Sequence, residues 1–177
     1  SRTEAEIISL AAEIEAKGGR ARAIACDITD GDALAAAFDR IEKLDILINN
    51  AGTNVPMPFL EADVASLDLI VSLNIRAAFL VAQAAARIMD RQGGGVIIHM
   101  SSTFGKVGRP GSSVYSGTKH FIEGLTKSTA VELAPRNIRV VAVGPTAIVT
   151  PLLADRLSDP DYAVQLTSRI PMGRLGQ

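Results

Sequence analysis

The chain has no tryptophan and a single cysteine, Cys26. One thiol cannot close an internal disulfide, which fits a reducing cytoplasm. With no His nearby in sequence, Cys26 reads as a small buried side chain rather than a nucleophile. Histidine is almost as scarce, and two His with one Cys cannot assemble a metal-ligand cluster, so no metal is assigned. Charge of one sign is lacking as well: the net charge is −1, with Lys and Arg scattered, so there is no electrostatic footprint for nucleic acid. No apolar run reads as long enough to span a bilayer, so no membrane partner is expected. A signal peptide, internal repeats and low-complexity tracts are not visible.

What is present has the composition of one globular domain over residues 1–177: 47% hydrophobic, 21% charged, and long enough to bury a core. Glu4 to Lys17 places Ile7, Leu10, Ala11 and Ile14 at helical spacing, an amphipathic surface helix ended by Gly18-Gly19. Ala21 to Cys26 reads as a short strand, after which Thr29 or Asp30 caps a helix from Asp32 to Ile41. A strand from Leu44 to Ile48 leads to Asn49-Asn50-Ala51-Gly52, where the glycine lets backbone approach a ligand. A long helical region from about Leu60 to Arg91 is expected to break near Asn74, and its second half is apolar nearly all round. Then come a strand from Val96 to Met100, a helix from Tyr115 to Ala134 stopped by Pro135, and a strand from Ile138 to Val143. Apolar strands alternating with helices call for an α/β fold, a parallel sheet covered on both faces. Ligands of such sheets bind beyond the carboxyl ends of the strands, where Asp27, Asn49 to Gly52, Ser102 and Gly144-Pro145 fall.

The stretch from Ser101 to Lys119, a strand end, a Gly-rich loop and a helix start, reads as an active site. Tyr115 and Lys119 are four residues apart and so share one helix face. A phenol is a poor acid or base at neutral pH, and a neighbouring ammonium is expected to lower its pKa toward the useful range. Ser102 stands ready to hydrogen-bond the oxygen that gains or loses charge.

With Asn49-Asn50-Ala51-Gly52, Ser102 thirteen residues before the Tyr, Tyr115-x-x-x-Lys119 and Asn74 upstream, the chain resembles the short-chain dehydrogenase/reductases over essentially its whole length. The resemblance implies a single-domain, doubly wound parallel sheet of Rossmann-like type. It implies an oxidoreductase that moves a hydride between NADP(H) or NAD(H) and a small alcohol or carbonyl substrate. Tyr115 would be the acid/base, Ser102 would polarise the substrate oxygen, Lys119 would tune the Tyr and hold the nicotinamide ribose, and Asn74 would anchor a water in the proton relay. Asp27 and Ile28 would lie against the adenine, and Asn50, Ala51 and Gly52 along the adenosine half. Pro145 to Thr150, with Ile148 between, would cover the nicotinamide, and Thr150 would meet its carboxamide.

The chain also departs from the family. Its Gly-rich phosphate-binding turn, first strand and most of the second are not in this sequence, nor is the last strand, which suggests a fragment with about 30 to 40 residues before it and roughly 60 after. The strand at Ala21 to Cys26 would then lack a neighbour. Thr146 stands where Gly is usual and His99 where Asn is common; His99 is expected to be a satisfied core histidine. An Arg at the end of the second strand suits a 2′-phosphate, so Arg2 leans the cofactor toward NADP(H), with NAD(H) possible. Substrate choice is expected in Phe104, Lys106 and Arg109, in Asn54 to Phe59, and in Ile148 to Pro171. Lys106 and Arg109 either meet an acidic or phosphorylated substrate or are simply solvated. The two apolar helices point to a homodimer or homotetramer. The competing readings are a non-catalytic scaffold and a nicotinamide-using epimerase or dehydratase.

Overall fold

Three short parallel strands position everything else. In the computed structural model, which describes residues 3–150, 153 and 157–176, β1 (Ile46–Asn49), β2 (Gly95–Met100) and β3 (Ile138–Val143) lie side by side in that order. Ile48 stands opposite Ile98, and Ile98 opposite Val141. Parallel neighbours require a crossover, and helices supply it between each pair.

Successive side chains of a strand point to opposite faces. On one face Leu47, Ile97, Ile138 and Val140 meet Ala82, Ala85 and Met89 of α4 (Ala78–Gln92) and Ala130 and Leu133 of α5 (Ser113–Leu133). Ala85 and Met89 are wholly buried there. On the other face Ile46 and Ile48 are 57% and 63% exposed, and Val141 and Val143 46% each. Among the described residues helices therefore cover one face of the sheet, where the strand pattern calls for two. The first helix, α1 (Glu4–Ala16), buries no residue, although its apolar stripe is where the sequence places it.

Ala21 to Cys26 does not form the expected strand. A strand's N–H and C=O groups need a ladder partner, and among the described residues none lies beside this segment. α2 (Gly31–Phe38) follows, capped as expected by Asp30, whose carboxylate accepts from the backbone N–H of Asp32 at 2.9 Å and of Ala33 at 3.1 Å.

The expected break near Asn74 is a widening instead. α3 (Val64–Val71) runs into a π-helical turn over Ser72–Ala77 and on into α4 without interruption. The joined helix, Val64–Gln92, is long and apolar enough by length and composition to cross a membrane, which splitting it at Asn74 conceals. In this fold its second half is a core crossover helix, with Ala82, Ala85, Ile88 and Met89 buried. A π turn inside an α-helix commonly marks a functional position.

The end of α4 and the start of β3 are pinned to each other. Gly93 and Gly94 have φ of +89° and +148°, and Asn137 has φ of +57°, all in the left-handed region. Asn137 Nδ2 donates to the Gly93 carbonyl at 3.0 Å, and the Gly95 N–H donates to the Asn137 carbonyl at 3.2 Å. This knot sets the register in which Gly95 faces Ile138. A Cβ on Gly94 would lie 2.7 Å from the Asn137 carbonyl oxygen, a backbone atom that cannot step aside. Gly94→Ala should cost about 1–3 kcal/mol in urea unfolding. Gly124→Ala, in α5 with open space around it, should instead gain roughly 0.5–1 kcal/mol. Equal effects of the two would contradict this account of the knot.

Candidate active site

The site forms at the carboxyl ends of the three strands, and Asn74 joins its parts. Asn74 lies in the π turn, 2% exposed. Its Oδ1 accepts from the Thr53 N–H at 2.8 Å, and its Nδ2 donates to the Thr53 carbonyl at 2.8 Å. A carboxamide pairs with a peptide in this reciprocal way because it carries the same donor and acceptor. The second Nδ2 hydrogen goes to Thr118 Oγ1 at 3.2 Å, and that hydroxyl donates to the Tyr115 carbonyl at 2.8 Å. Only one orientation of the amide satisfies all three contacts of Asn74. The segment after β1, the π turn and α5 are thereby tied at one point. The expected water-anchoring role cannot rest on the Nδ2 hydrogens, since both are already used.

Gly52 sits against this junction. A Cβ there would come within 3.3 Å of Asn74 Oδ1 and 3.9 Å of Lys119 Nζ, so the glycine leaves the approach to both open. Asn50, Ala51 and Gly52 are exposed beyond the strand end.

Lys119 is 8% exposed, and its Nζ donates to the Met100 carbonyl at 2.7 Å. That uses one of three N–H donors, and no carboxylate pairs with it among the described residues. Burial pushes its pKa below the usual lysine value. The ammonium stands 5.5 Å from the centre of the Tyr115 ring.

The expectation that Lys119 brings the Tyr115 pKa down needs correction. Burial raises the phenol, and the opposing influence is a hydrogen bond with the Ser102 side chain. Desolvation disfavours the phenolate more than that one bond favours it, while the ammonium is turned to a main-chain carbonyl. Ser102 itself is 8% exposed and caps the short turn Thr103–Gly105, its Oγ accepting from the Phe104 N–H at 3.2 Å. The Pro145 carbonyl accepts from the Thr103 N–H at 3.1 Å, which holds the segment after β3 against the end of β2.

Ser102, Tyr115, Ile148 and Thr150 share the wall of a cavity of about 350 Å³, with Asn54 and Tyr162 also on it. Tyr162 belongs to α6 (Pro160–Ser168). Asp27 and Ile28 lie farther out: Asp27 Oδ1 accepts from the Thr29 N–H at 3.0 Å and the Thr29 hydroxyl at 2.7 Å. Arg76, from the π turn, donates to the Thr29 carbonyl at 2.9 Å and so draws this turn to the same edge. Arg2 lies outside the described residues.

Sequence reasoning passed over Thr118 and the Met100 carbonyl, and placed Asn49 at the crevice where the structure buries it. Thr118 had a signal, a small polar side chain between Tyr115 and Lys119. The carbonyl had none. Asn49 is 7% exposed, and its Nδ2 donates to the Ala78 carbonyl at 2.8 Å and lies 3.3 Å from His99 Nδ1. His99 was expected to be satisfied; it is 1% exposed and its Nε2 has no partner.

The residues present fit the ribose and nicotinamide end of a dinucleotide. Lys119 has free donors beside the uncovered backbone at Gly52, and Thr146, Ala147, Ile148 and Thr150 share the cavity wall with Ser102 and Tyr115.

The family profile for short chain dehydrogenase matches residues 1–161. L-xylulose reductase from Bos taurus is 38% identical over 178 residues, which span 100% of this chain and 71% of that protein. A crystal structure of a short-chain type dehydrogenase/reductase from Mycobacterium marinum superposes with a TM-score of 0.91 at 36% identity, over 99% of this chain and 70% of the other. A gluconate 5-dehydrogenase from Burkholderia cenocepacia J2315, in complex with NADP and tartrate, gives a TM-score of 0.94 at 30% identity, over 100% of this chain and 71% of the other. With these likenesses the α/β, doubly wound, Rossmann-like class stands.

Burial holds the His99 pKa below the ordinary imidazole value of 6.5. The unfolded chain therefore takes up a proton first, so stability is full above about pH 6.5 and falls as the pH drops through the lower folded-state pKa. His99→Asn should remove that part of the slope. Urea midpoints at pH 7 and pH 5 that shift equally in both proteins would sink this assignment.

Proposed function

The chain belongs to the short-chain dehydrogenase family, and on that premise we propose that Tyr115, Ser102, Lys119 and Asn74 carry out its chemistry. It is an oxidoreductase that interconverts an alcohol and a carbonyl with NADP(H) or NAD(H). The observation that carries the assignment of roles is the pairing of Tyr115 and Ser102 on one cavity wall, with buried Lys119 directly behind.

When bound, the nicotinamide supplies or accepts the hydride at the substrate carbon. Tyr115 moves the proton at the substrate oxygen, giving it as a carbonyl is reduced and taking it as an alcohol is oxidised. Ser102 donates a hydrogen bond to the same oxygen, where charge develops. Its contact with the Phe104 N–H uses an acceptor lone pair, so the hydroxyl proton, directed at Tyr115 in the free site, can turn to a substrate oxygen placed beside the two. Lys119 offers its remaining N–H donors to the ribose, and Asn74 holds the segment on which Gly52 lies. Asp27, Ile28, Asn50, Ala51, Pro145, Ile148 and Thr150 line the path of the rest of the cofactor. Arg2 would favour the 2′-phosphate of NADP(H).

A raised Tyr115 pKa keeps the phenol protonated through neutral pH, which suits it as the acid in reduction. Reductase turnover should then hold across neutral pH and fall as the pH climbs past the phenol's pKa. The scaffold alternative finds no support among the relatives, which are reductases and dehydrogenases by name.

Assembly as a homodimer or homotetramer is supported by apolar side chains left in solvent on the two long helices, Phe79 on α4 at 41% exposed and Val131 on α5 at 78%. Light scattering should return a mass two or four times that of one chain, and a monomeric mass would refute it. A cytoplasmic location is supported only by the lone cysteine.

Tyr115→Phe should lower kcat by about 10²- to 10⁴-fold, the usual share of a positioned acid/base, with dinucleotide affinity by fluorescence titration nearly unchanged. Lys119→Ala should weaken both. Normal turnover in Tyr115→Phe would overturn the proposed chemistry.

A further inference from the structure

We infer that the catalytic cavity continues into an anion-recognising arm built on Arg109 and Arg169, so that the substrate is a hydroxy or oxo compound bearing a carboxylate or phosphate. This inference rests on the dehydrogenase reading and names its substrate class.

Two cavities meet at the loop after β2. The first, of about 350 Å³, contains Ser102 and Tyr115. The second, of about 330 Å³, shares Thr103, Phe104, Arg109, Thr146, Tyr162 and Leu166 with it and adds Arg169. Arg109 thus faces both, and among the described residues it is the one charged side chain on the wall of the first. No Asp or Glu lines either cavity among the described residues.

What holds Arg109 leaves its charge unspent. Its guanidinium lies 5.6 Å from the centre of the Phe104 ring, and that ring meets Tyr115 edge-on at 6.4 Å and 78°. A ring face positions a cation without neutralising it or occupying its N–H fork. Neither Arg109 nor Arg169 has an ion-pair partner among the described residues. The other cation of the loop is used differently. Lys106 Nζ sits 2.6 Å from Glu123 Oε2, a carboxylate only 13% exposed, and lines neither cavity. The structure therefore separates the two loop cations into one that anchors the loop and one that is free for a ligand.

A second polar group in the cavity points to the same kind of substrate. Asn54 Oδ1 is buried without a hydrogen-bond partner on the wall of the first cavity. A buried acceptor left unpaired is costly, and a ligand hydroxyl would satisfy it. A chain with its reacting oxygen at Tyr115, a further hydroxyl near Asn54 and an anionic end at Arg109 meets all three groups. Arg suits either anion, because its planar fork binds carboxylate and phosphate oxygens in pairs.

The test compares matched pairs in the full chain with either dinucleotide: a sugar acid against its neutral amide, and a sugar phosphate against the free sugar alcohol. The anionic member of at least one pair should have the higher kcat/KM, by about tenfold or more, and the pair that shows it identifies the anion. A hydrogen-bonded charge is worth about 10- to 100-fold in binding, so Arg109→Gln should lower kcat/KM for that substrate by this factor, mainly through KM, and compress the preference. Arg109→Lys should fall between, since it keeps the charge and loses the fork. Arg169→Gln should give a smaller loss in the same direction. Equal use of anionic and neutral members, or a preference unchanged in Arg109→Gln, overturns the inference and leaves the dehydrogenase reading intact. No turnover of any member with either dinucleotide fails the dehydrogenase reading, and the inference falls with it.

Discussion

The carboxamide of Asn74 is the constraint on which the site depends. Three elements distant in sequence have to meet with the accuracy that positioned catalysis requires: the segment after β1, the middle of a long helix and the start of α5. A carboxamide suits that junction because it copies the peptide group, so that it pairs with Thr53 as a neighbouring strand would while its remaining hydrogen reaches Thr118. An α-helix does not ordinarily offer a side chain at that angle. The π turn over Ser72–Ala77 rotates Asn74 inward, and the buried Ile70 and Ala77 on either side hold the helix in place. The widened turn and the clamp are therefore one feature.

Burial acts on Tyr115 and Lys119 in the same sense, since each is pushed toward its neutral form. Two groups that share a desolvated site cannot both be explained by their mutual attraction. Lys119 is held by the Met100 carbonyl, which fixes where its other donors point, and Ser102 is the group that opposes the rise of the phenol. In this arrangement the lysine serves first as a fixed donor and only second as a charge. Position is set by main-chain contacts, and reactivity by the hydroxyl next door.

What could be read from sequence divides along a physical line. Ser102, Tyr115 and Lys119 were legible because a strand end and one helix face place them, and both are local patterns. β3 was legible to the residue for the same reason, as an apolar run bounded by an asparagine turn and a glycine. The π turn was not, because its cause lies in partners 21 and 44 positions away. The strand at Ala21 to Cys26 failed likewise, since a ladder is a property of neighbours rather than of the segment. Lys106 and Arg109 looked equivalent in the loop. Only Glu123, on a helix 17 positions further on, tells them apart.

That division also explains how one architecture can serve many substrates. The groups assigned to the chemistry are fixed by contacts that do not involve Lys106 or Arg109: Lys119 by a carbonyl of β2, Asn74 by Thr53 and Thr118, and the backbone next to Ser102 by the Pro145 carbonyl. Lys106 and Glu123 anchor the loop from its far side. The Arg109 side chain stands between two anchored ends with no hydrogen bond or ion pair among the described residues, resting on the face of Phe104. A side chain so placed can change identity without disturbing the proton-moving groups. Specificity can therefore be altered here at little cost to the machinery, as expected where function is carried on loops held by a rigid scaffold.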